Sequence, residues 1–459
     1  MSKHFDPAEL ADFARYYGFH YDLIDPAHLV RDILNEMDRG LRGQASSLAM
    51  IPAYISPSAR IRPGKKVIAL DAGGTNLRSA LVHFTDQGTP ETEGACKVPM
   101  PGTQGKIGPE AFFDRIASLT APLLEQAGDI EGIGFCFSYP MEITQDSDGI
   151  LLALSKEVDA PEVIGQRIGA GLREALYRRG LKAPERIVLL NDTTATLLSG
   201  LAEIPADGGQ RRGEDLYGAL PGPVIGFILG TGFNTAYPEK DIPKIGFHSD
   251  TAPQIVVCES GNIHPRYLGG LDREFDAATK NPGVYSLEKA TSGAYLGPLT
   301  LHILKQAVRD GLLSFAKSDE LLSWPALQTR DLNEFMWSPL TGQGPIGSLF
   351  GPGEKAALES LAYLSSIVTE RAALLSASVV AAVVERTGAG ADPFAPVRIA
   401  VEGTTYMIYK GMRRSLEARL HLMLNGQSPR SYVIAPVEQA SLFGAAAAIL
   451  SQRSSRGVS

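Results

Sequence analysis

At 459 residues the chain is too long for one ordinary core, so two domains are expected. A net charge of −8 without a basic stripe argues against a nucleic-acid or anionic-membrane surface, and 44% hydrophobic with 20% charged residues is the balance of a globular protein. The longest smooth apolar run, Ala372 to Val384, is shorter than the roughly 20 residues of a membrane span; bounded by Arg371 and Glu385, it reads as a buried helix.

The N-terminus, MSKHFDPAEL, has no apolar signal core. Asp6-Pro7-Ala8-Glu9 predicts a helix start, and Leu10, Phe13 and Tyr17 then share a face. Asp25-Pro26 repeats the device before Leu29, Ile33, Met37 and Leu41. A loop with Pro52, Pro57 and Pro63 leads to VIALDAGGTNLRSALV, Val67 to Val82. There a β-branched apolar run reaches Asp71, and Gly73, Gly74, Thr75 and Asn76 follow before a second apolar run carrying Arg78. Glycine lets a backbone approach a ligand closely, so this turn can offer amides to phosphate oxygens. Asp71 at the strand end is placed for Mg²⁺ held through its waters. A plain hairpin with a surface Arg78 is the competing local reading.

After a Gly/Pro-rich segment, Pro99 to Pro109, Phe112, Ile116 and Leu119 mark a helix that Pro122 is expected to kink or end. Gly132 to Phe137 reads as a buried strand running into Ser138-Tyr139-Pro140. Ile164, Ile168, Leu172 and Leu176 predict the next helix. Arg186 to Leu190 is a strand delivering Asn191-Asp192-Thr193 to a helix from about Thr194; locally, an Asn-Asp pair there is also an N-cap. Ala202 to Pro223, with Arg211 and Arg212, reads as a solvated loop. Val224 to Tyr237, VIGFILGTGFNTAY, then echoes the opening stretch with Thr231-Gly232 in its turn and Asn234 beyond it. Helices dominate Leu287 to about Arg386, where Glu288-Lys289 alone reads as a solvated face. The strand Val397 to Val401 meets Glu402-Gly403-Thr404-Thr405, and a helix with Met412, Leu416 and Leu420 follows. Strand Tyr432 to Ala435 and a small-residue helix, Gly444 to Leu450, end the pattern. Alternating strands and helices predict an α/β fold whose ligands sit beyond the strand carboxyl ends. Cys96, Cys136 and Cys258 are far apart and lack paired metal spacing, as expected of a protein of the reducing cytoplasm.

Taken together, these motifs resemble the hexokinase family of ATP-dependent sugar kinases through most of the chain. LDAGGTNLR is similar to the family's first phosphate motif, and GFCFSYP with GILLALSKE to its sugar-binding segment. LLNDTTATLLSG is similar to the segment holding the catalytic Asp, ILGTGFNTAY to the second phosphate motif and VEGTTY to the adenosine motif. Leu271 to Leu296 matches a further family segment. The resemblance implies a two-domain actin-like ATPase fold (ribonuclease H-like) with an interdomain cleft. The small domain would comprise 65–190 and 439–459, and the large domain 1–64 and 191–438.

The implied reaction moves the γ-phosphoryl group of ATP to the 6-hydroxyl of a hexose, glucose first, as the opening step of glycolysis. Asp192 would be the general base, with Lys156 and Arg78 stabilising charge. Ser138, Ser155, Lys156, Asn191, Asp192, Asn234, Glu259 and Glu288 would hold the sugar. Asp71, Gly73, Gly74, Thr75, Asn76, Arg78, Thr231, Gly232, Gly403, Thr404 and Thr405 would hold ATP, with Mg²⁺ near Asp71. ATP and hexose are the expected ligands, with no nucleic-acid or membrane partner.

The chain departs from the family pattern at Ser260, where a Trp usually follows the Glu, at Ser155, where Thr is commoner, and at SLFGAA, a less Gly-rich hinge. The first departure predicts a loosely oriented Glu259 and broader hexose use. Two alternatives stand beside this reading. A repressor-and-kinase-type sugar kinase is opposed by the scattered cysteines. An actin- or chaperone-like nucleotide switch is opposed by the sugar set.

Overall fold

The computed structural model describes residues 4–57, 61, 63–86, 88–154, 158–202, 222–250, 252–426 and 428–451. Ser155, Lys156, Arg211 and Arg212 lie outside them. Helices α1 (Pro7–Tyr16) and α2 (Pro26–Leu41) start where the Asp-Pro pairs predict. Asp6 Oδ1 accepts from the Ala8 and Glu9 amides at 2.9 and 3.3 Å, and Asp25 Oδ1 from those of Ala27 and His28 at 2.9 and 3.1 Å. These caps satisfy amides that a helix leaves without partners.

The first sheet contains β1 (Val67–Gly73), β2 (Asn76–Phe84), β3 (Pro90–Pro99), β4 (Ile133–Phe137) and β5 (Ile187–Leu190), in the spatial order β3-β2-β1-β4-β5. The first three are antiparallel, whereas β1, β4 and β5 run parallel. Helix α3 (Pro109–Ala127) passes through Pro122 without ending, since that residue is exposed and α3 packs through Phe112, Phe113, Ile116 and Leu123. The helix predicted from Ile164 begins only at α4 (Ile168–Arg178): Gly165 takes φ = 86° and breaks the apolar period. Helix α5 (Asp192–Ala202) follows β5.

A second sheet repeats the topology. Its strands β6 (Val224–Leu229), β7 (Phe233–Glu239) and β8 (Gln254–Val257) are antiparallel, and β9 (Val397–Glu402) and β10 (Tyr432–Pro436) add in parallel, giving β8-β7-β6-β9-β10 with a short edge at Ile51–Pro52. The similarity between Val67–Val82 and Val224–Tyr237 thus reflects two corresponding hairpins. Between β8 and β9 lie α6 (Ser286–Thr291), α7 (Thr329–Trp337) and α8 (Lys355–Thr387); β9 is Val397–Glu402. Helices α9 (Thr404–Ile408) and α10 (Met412–Leu424), β10 (Tyr432–Pro436) and α11 (Ala440–Ser451) complete the chain.

The apolar helix is longer than the run that marks it. Arg371 does not bound α8 but lies inside it, fully buried, and is paired through both Nη atoms to Asp272 at 2.7 Å. The bidentate geometry neutralises a charge that burial would otherwise make costly. α8 is apolar and long enough to cross a membrane, yet 94% of its apolar window is buried in the fold.

The last helix of each half crosses over. α5 follows the first sheet but packs on β6 and β9 of the second, while α11 follows the second sheet and packs on β1 and β4 of the first. The two helices meet face to face at Gly444, where a Cβ would stand 2.0 Å from the Ala195 carbonyl oxygen. Gly134 on β4 is similarly required, its missing Cβ falling 1.9 Å from the Ala445 oxygen. Apolar side chains form a layer around these helices, between separate clusters over the two sheets. This crossing brings α5, with Asp192 at its start, between the Gly-rich turns of both halves.

Candidate active site

The turn between β1 and β2 pairs Gly73 with Asn76 and sets Asp71 opposite Arg78. Arg78 Nε donates to Asp71 Oδ2 at 2.7 Å and its Nη2 to Ser441 Oγ at 3.0 Å, tying the turn to α11. Asp71 is buried, whereas Gly74 and Thr75 are exposed. The turn's carbonyls are held from behind: Tyr139 donates to the Gly74 oxygen at 2.5 Å and the Met100 amide to that of Thr75 at 2.9 Å. Asn76 Nδ2 donates to Thr75 Oγ1. Ser138, at the end of β4, stands beside this turn, its Oγ 3.6 Å from where a Gly73 Cβ would be.

Asn191 does cap α5, accepting from the Thr194 amide at 2.9 Å, and its Nδ2 donates to Asp192 Oδ1 at 3.1 Å. Thr193 Oγ1 donates to the same oxygen at 3.2 Å. The N-cap is thus Asn191, and the carboxylate beside it, Asp192, is held by two neutral donors. Across the gap, Asn234 Nδ2 donates to Glu259 Oε1 at 2.9 Å, and Glu288 Oε2 accepts from the Phe233 amide at 3.0 Å. Gly232 leaves room for Glu288, since a Cβ there would come within 3.0 Å of Oε2. Glu259 has φ = 59°, a backbone conformation uncommon for a side-chain-bearing residue.

At the end of the strand Val397–Glu402, Gly403 has φ = 127° and Thr404 is exposed, but Thr405 is buried and donates to the Gly230 oxygen at 2.8 Å. Its hydroxyl thus joins α9 to the Gly-rich turn after β6. The Gly293 amide meets the same oxygen at 2.7 Å, and the Ala294 amide meets that of Thr231 at 3.1 Å.

Two family profiles, both described as Hexokinase, match residues 17–202 and 224–451. The chain belongs to the hexokinase family. It is 31% identical to human Hexokinase-3 over 396 residues, 81% of this chain but 40% of that protein's length. Hexokinase-1 of Schizosaccharomyces pombe is 28% identical over 443 residues, covering 91% of this chain and 86% of that one. The solved hexokinase from Schistosoma mansoni complexed with glucose matches the fold with a TM-score of 0.76 at 23% identity, over 98% of this chain and 100% of the other. The two like halves are those of an actin-like ATPase fold, and the family is one of hexose kinases.

Ser260 does not leave Glu259 loose. It is fully buried, with its Oγ 2.5 Å from Thr235 Oγ1 and its amide donating to Asn234 Oδ1 at 3.2 Å. Asn234 is thereby fixed and in turn fixes Glu259. The usual aromatic neighbour is replaced by a hydrogen-bonded knot.

One residue that the motif reading passed over is Glu402. It ends β9 as Asp71 lies near the end of β1, and Thr196 Oγ1 bridges the Glu402 Oε2 and the Asp192 carbonyl at 3.3 and 3.0 Å. The signal was the repeated order of strand, acid and glycine in LDAGG and VEG.

Burial and mutual repulsion raise the proton affinity of the acids around Asp192. Desolvation is the first cause for each: it lifts Asp192, aided by Asp71, and Glu259, aided by Asp192. It carries Glu288 and Glu402 to about 7, with the charge of Asp192 adding to both. Arg78 is hydrogen-bonded to the neighbouring Asp71. Lys289, next to Glu288 in sequence, points instead to Asp276 at 2.5 Å and to the Asn281 oxygen at 2.6 Å. An excess of negative charge beside a phosphate-type turn fits a hydrated divalent cation. The described residues contain no group of three or more His, Cys, Asp or Glu side chains placed to hold a metal ion directly.

Proposed function

We propose that the protein transfers the γ-phosphoryl group of ATP to the 6-hydroxyl of a hexose, with glucose as the first candidate, giving hexose 6-phosphate and ADP at the entry to glycolysis. The observation that carries this reading is the position of Asp192. Its carboxylate is oriented by Asn191 and Thr193 at the start of the crossing helix, between the acids of one sheet and the Gly-rich turn of the other. Asp192 takes the hydroxyl proton as the sugar oxygen bonds to the γ-phosphorus and the bond to ADP breaks. A carboxylate whose proton affinity is raised by burial is a stronger base for that task.

Glu259, Glu288, Asn234 and Ser138, with Ser155 and Lys156, accept and donate to the ring hydroxyls, which need both kinds of partner. Asn191 serves chiefly to hold Asp192. Gly73, Gly74, Thr75, Asn76, Thr231 and Gly232 surround the phosphates, and Gly403 and Thr404 the adenosine. Thr405 positions rather than touches it. Bound Mg²⁺ would be held near Asp71 and would neutralise phosphate charge; Arg78 and Lys156 add positive charge to the transition state, where positioning and charge carry most of the catalysis.

In this reading the small domain is 65–190 with 439–459 and the large domain is 1–64 with 191–438. The cytoplasm is its compartment, a placement supported by three free cysteines. The test is sugar-dependent ADP release by the purified protein across a panel of hexoses. ADP release indifferent to every sugar would overturn the proposal.

A further inference from the structure

The adenosine motif ends at a surface built from α7, which the motif reading leaves unused. Asn333 and Trp337 lie one helical turn apart on α7, and both reach the end of α9. Trp337 Nε1 and Asn333 Nδ2 each donate to the Ile408 oxygen at 3.4 Å, while the Lys410 amide donates to Asn333 Oδ1 at 2.7 Å. Lys410 Nζ lies 4.2 Å from the centroid of the Trp337 ring. The indole is therefore pinned from two sides, yet Trp337 remains 57% exposed and Ile408 61% exposed. At the other end of α9, Gly403 abuts the second phosphate turn: a Cβ on Gly230 would be 3.3 Å from Gly403 Cα. Ile408 lies four residues beyond Thr404, about 6 Å along a helix axis, which is the reach of a ribose between phosphate and base.

We propose that Trp337 is the wall on which the adenine of ATP stacks, with Ile408 completing an apolar cradle for the base. The proposal rests on the ATP reading of the site and adds to it the residue that grips the base. Continuity with the nucleotide turn selects adenine over other occupants of an exposed aromatic surface. An indole held by hydrogen bonds loses little freedom when a flat ring docks on it. Stacking also tolerates different purines, because every base has a π-face, so Trp337 supplies affinity more than discrimination among bases.

The chain has two tryptophans, and Trp324 lies outside the proposed machinery. A Trp324→Phe variant of the full chain therefore isolates the emission of Trp337. Titration with ADP should change that emission saturably, as should GDP, whereas inorganic tripolyphosphate should not. Trp337→Ala should raise the ATP KM about five- to 150-fold, the range of base–aromatic stacking measured by alanine substitution. The hexose KM and inhibition by tripolyphosphate should stay within twofold, and Trp337→Phe should restore most of the loss. An ADP-silent Trp337, or an ATP KM unchanged by Trp337→Ala in an active enzyme, overturns the inference and leaves the kinase reading intact. An ADP-dependent signal in a protein that phosphorylates no sugar would overturn the kinase reading alone.

Discussion

Replacing Glu288 with glutamine should stabilise the ligand-free protein and impair its use of sugar. Folding raises the Glu288 carboxyl from 4.5 to about 7, first by burial and then through Glu259 and Asp192. A raised acid binds its proton more tightly folded than unfolded, so its ionisation opposes folding as pH rises from about 4.5 to about 7, and the penalty then levels off. The shift corresponds to at most about 3 kcal/mol above pH 8 and under about 1 kcal/mol at pH 5. Glutamine has the shape of the protonated acid and keeps an oxygen for the Phe233 amide, so Glu288→Gln removes that penalty. Thermal melts should show little change at pH 5 and a Tm raised by up to about 6–12 °C at pH 8.5, scaling by about 2–4 °C per kcal/mol for a domain of this size. The hexose KM should rise about five- to 150-fold, as the loss of a desolvated charged acceptor predicts, with the ATP KM little changed. A variant that melts no higher than the parent at pH 8.5 would refute the assignment of Glu288 as a destabilising buried charge. An effect confined to the ATP KM would remove it from the sugar site.

Asp192→Asn should lower kcat by roughly 10²–10⁴ while sugar binding changes far less; turnover within threefold of the parent would dismiss it as the base. Ser260→Ala should strand the buried Thr235 hydroxyl at a cost of about 1–3 kcal/mol, read by denaturant unfolding, and loosen Glu259 so that hexose selectivity falls; an unchanged profile across hexoses would show that the knot has no part in specificity. Saturating sugar without ATP should make the protein more compact in solution scattering. ATP hydrolysis without sugar should be at least about a hundredfold slower than sugar phosphorylation, and a fast hydrolysis with unchanged scattering would rule out closure driven by sugar.

The local features of the site were legible because each is written in neighbouring residues. A glycine turn flanked by Asp71 and Arg78 specifies a hairpin in which those two residues face each other, and the structure pairs them. The Asn191-Asp192 pair at a strand end announces both a cap and a carboxylate beside it. What escaped depends on distant contacts. Glu402 matters because α5 crosses to the other sheet and brings Thr196 against it, a contact between residues 206 apart. Arg371 resembled a helix boundary because its neutralising partner, Asp272, is far away in sequence. The apolar period at Ile164 ran on past Gly165, whose positive φ ends it. Ser260 looked like a loss because a missing aromatic is visible in the sequence, whereas the hydroxyl partner waiting on β7 is not.

Arg371–Asp272 and the Asp192 cluster show two opposite treatments of buried charge in one chain. The first pair sits deep in the helical layer, and its two parallel hydrogen bonds leave neither partner's charge uncompensated. Around Asp192 the described residues supply neutral amide and hydroxyl donors, and Arg78 serves Asp71, so burial is not matched by counter-charge. A fold selected only for stability would give these acids bases or replace them, and native proteins break such rules chiefly where function requires it. In the proposed reading the missing complement is sugar hydroxyls that donate to Glu259 and Glu288, and a hydrated cation with its phosphates beside Asp71. Ligands that bring those groups relieve a repulsion already present in the empty site. The electrostatic cost of leaving the cluster short of counter-charge is thereby converted into selectivity for occupants that carry donors and positive charge.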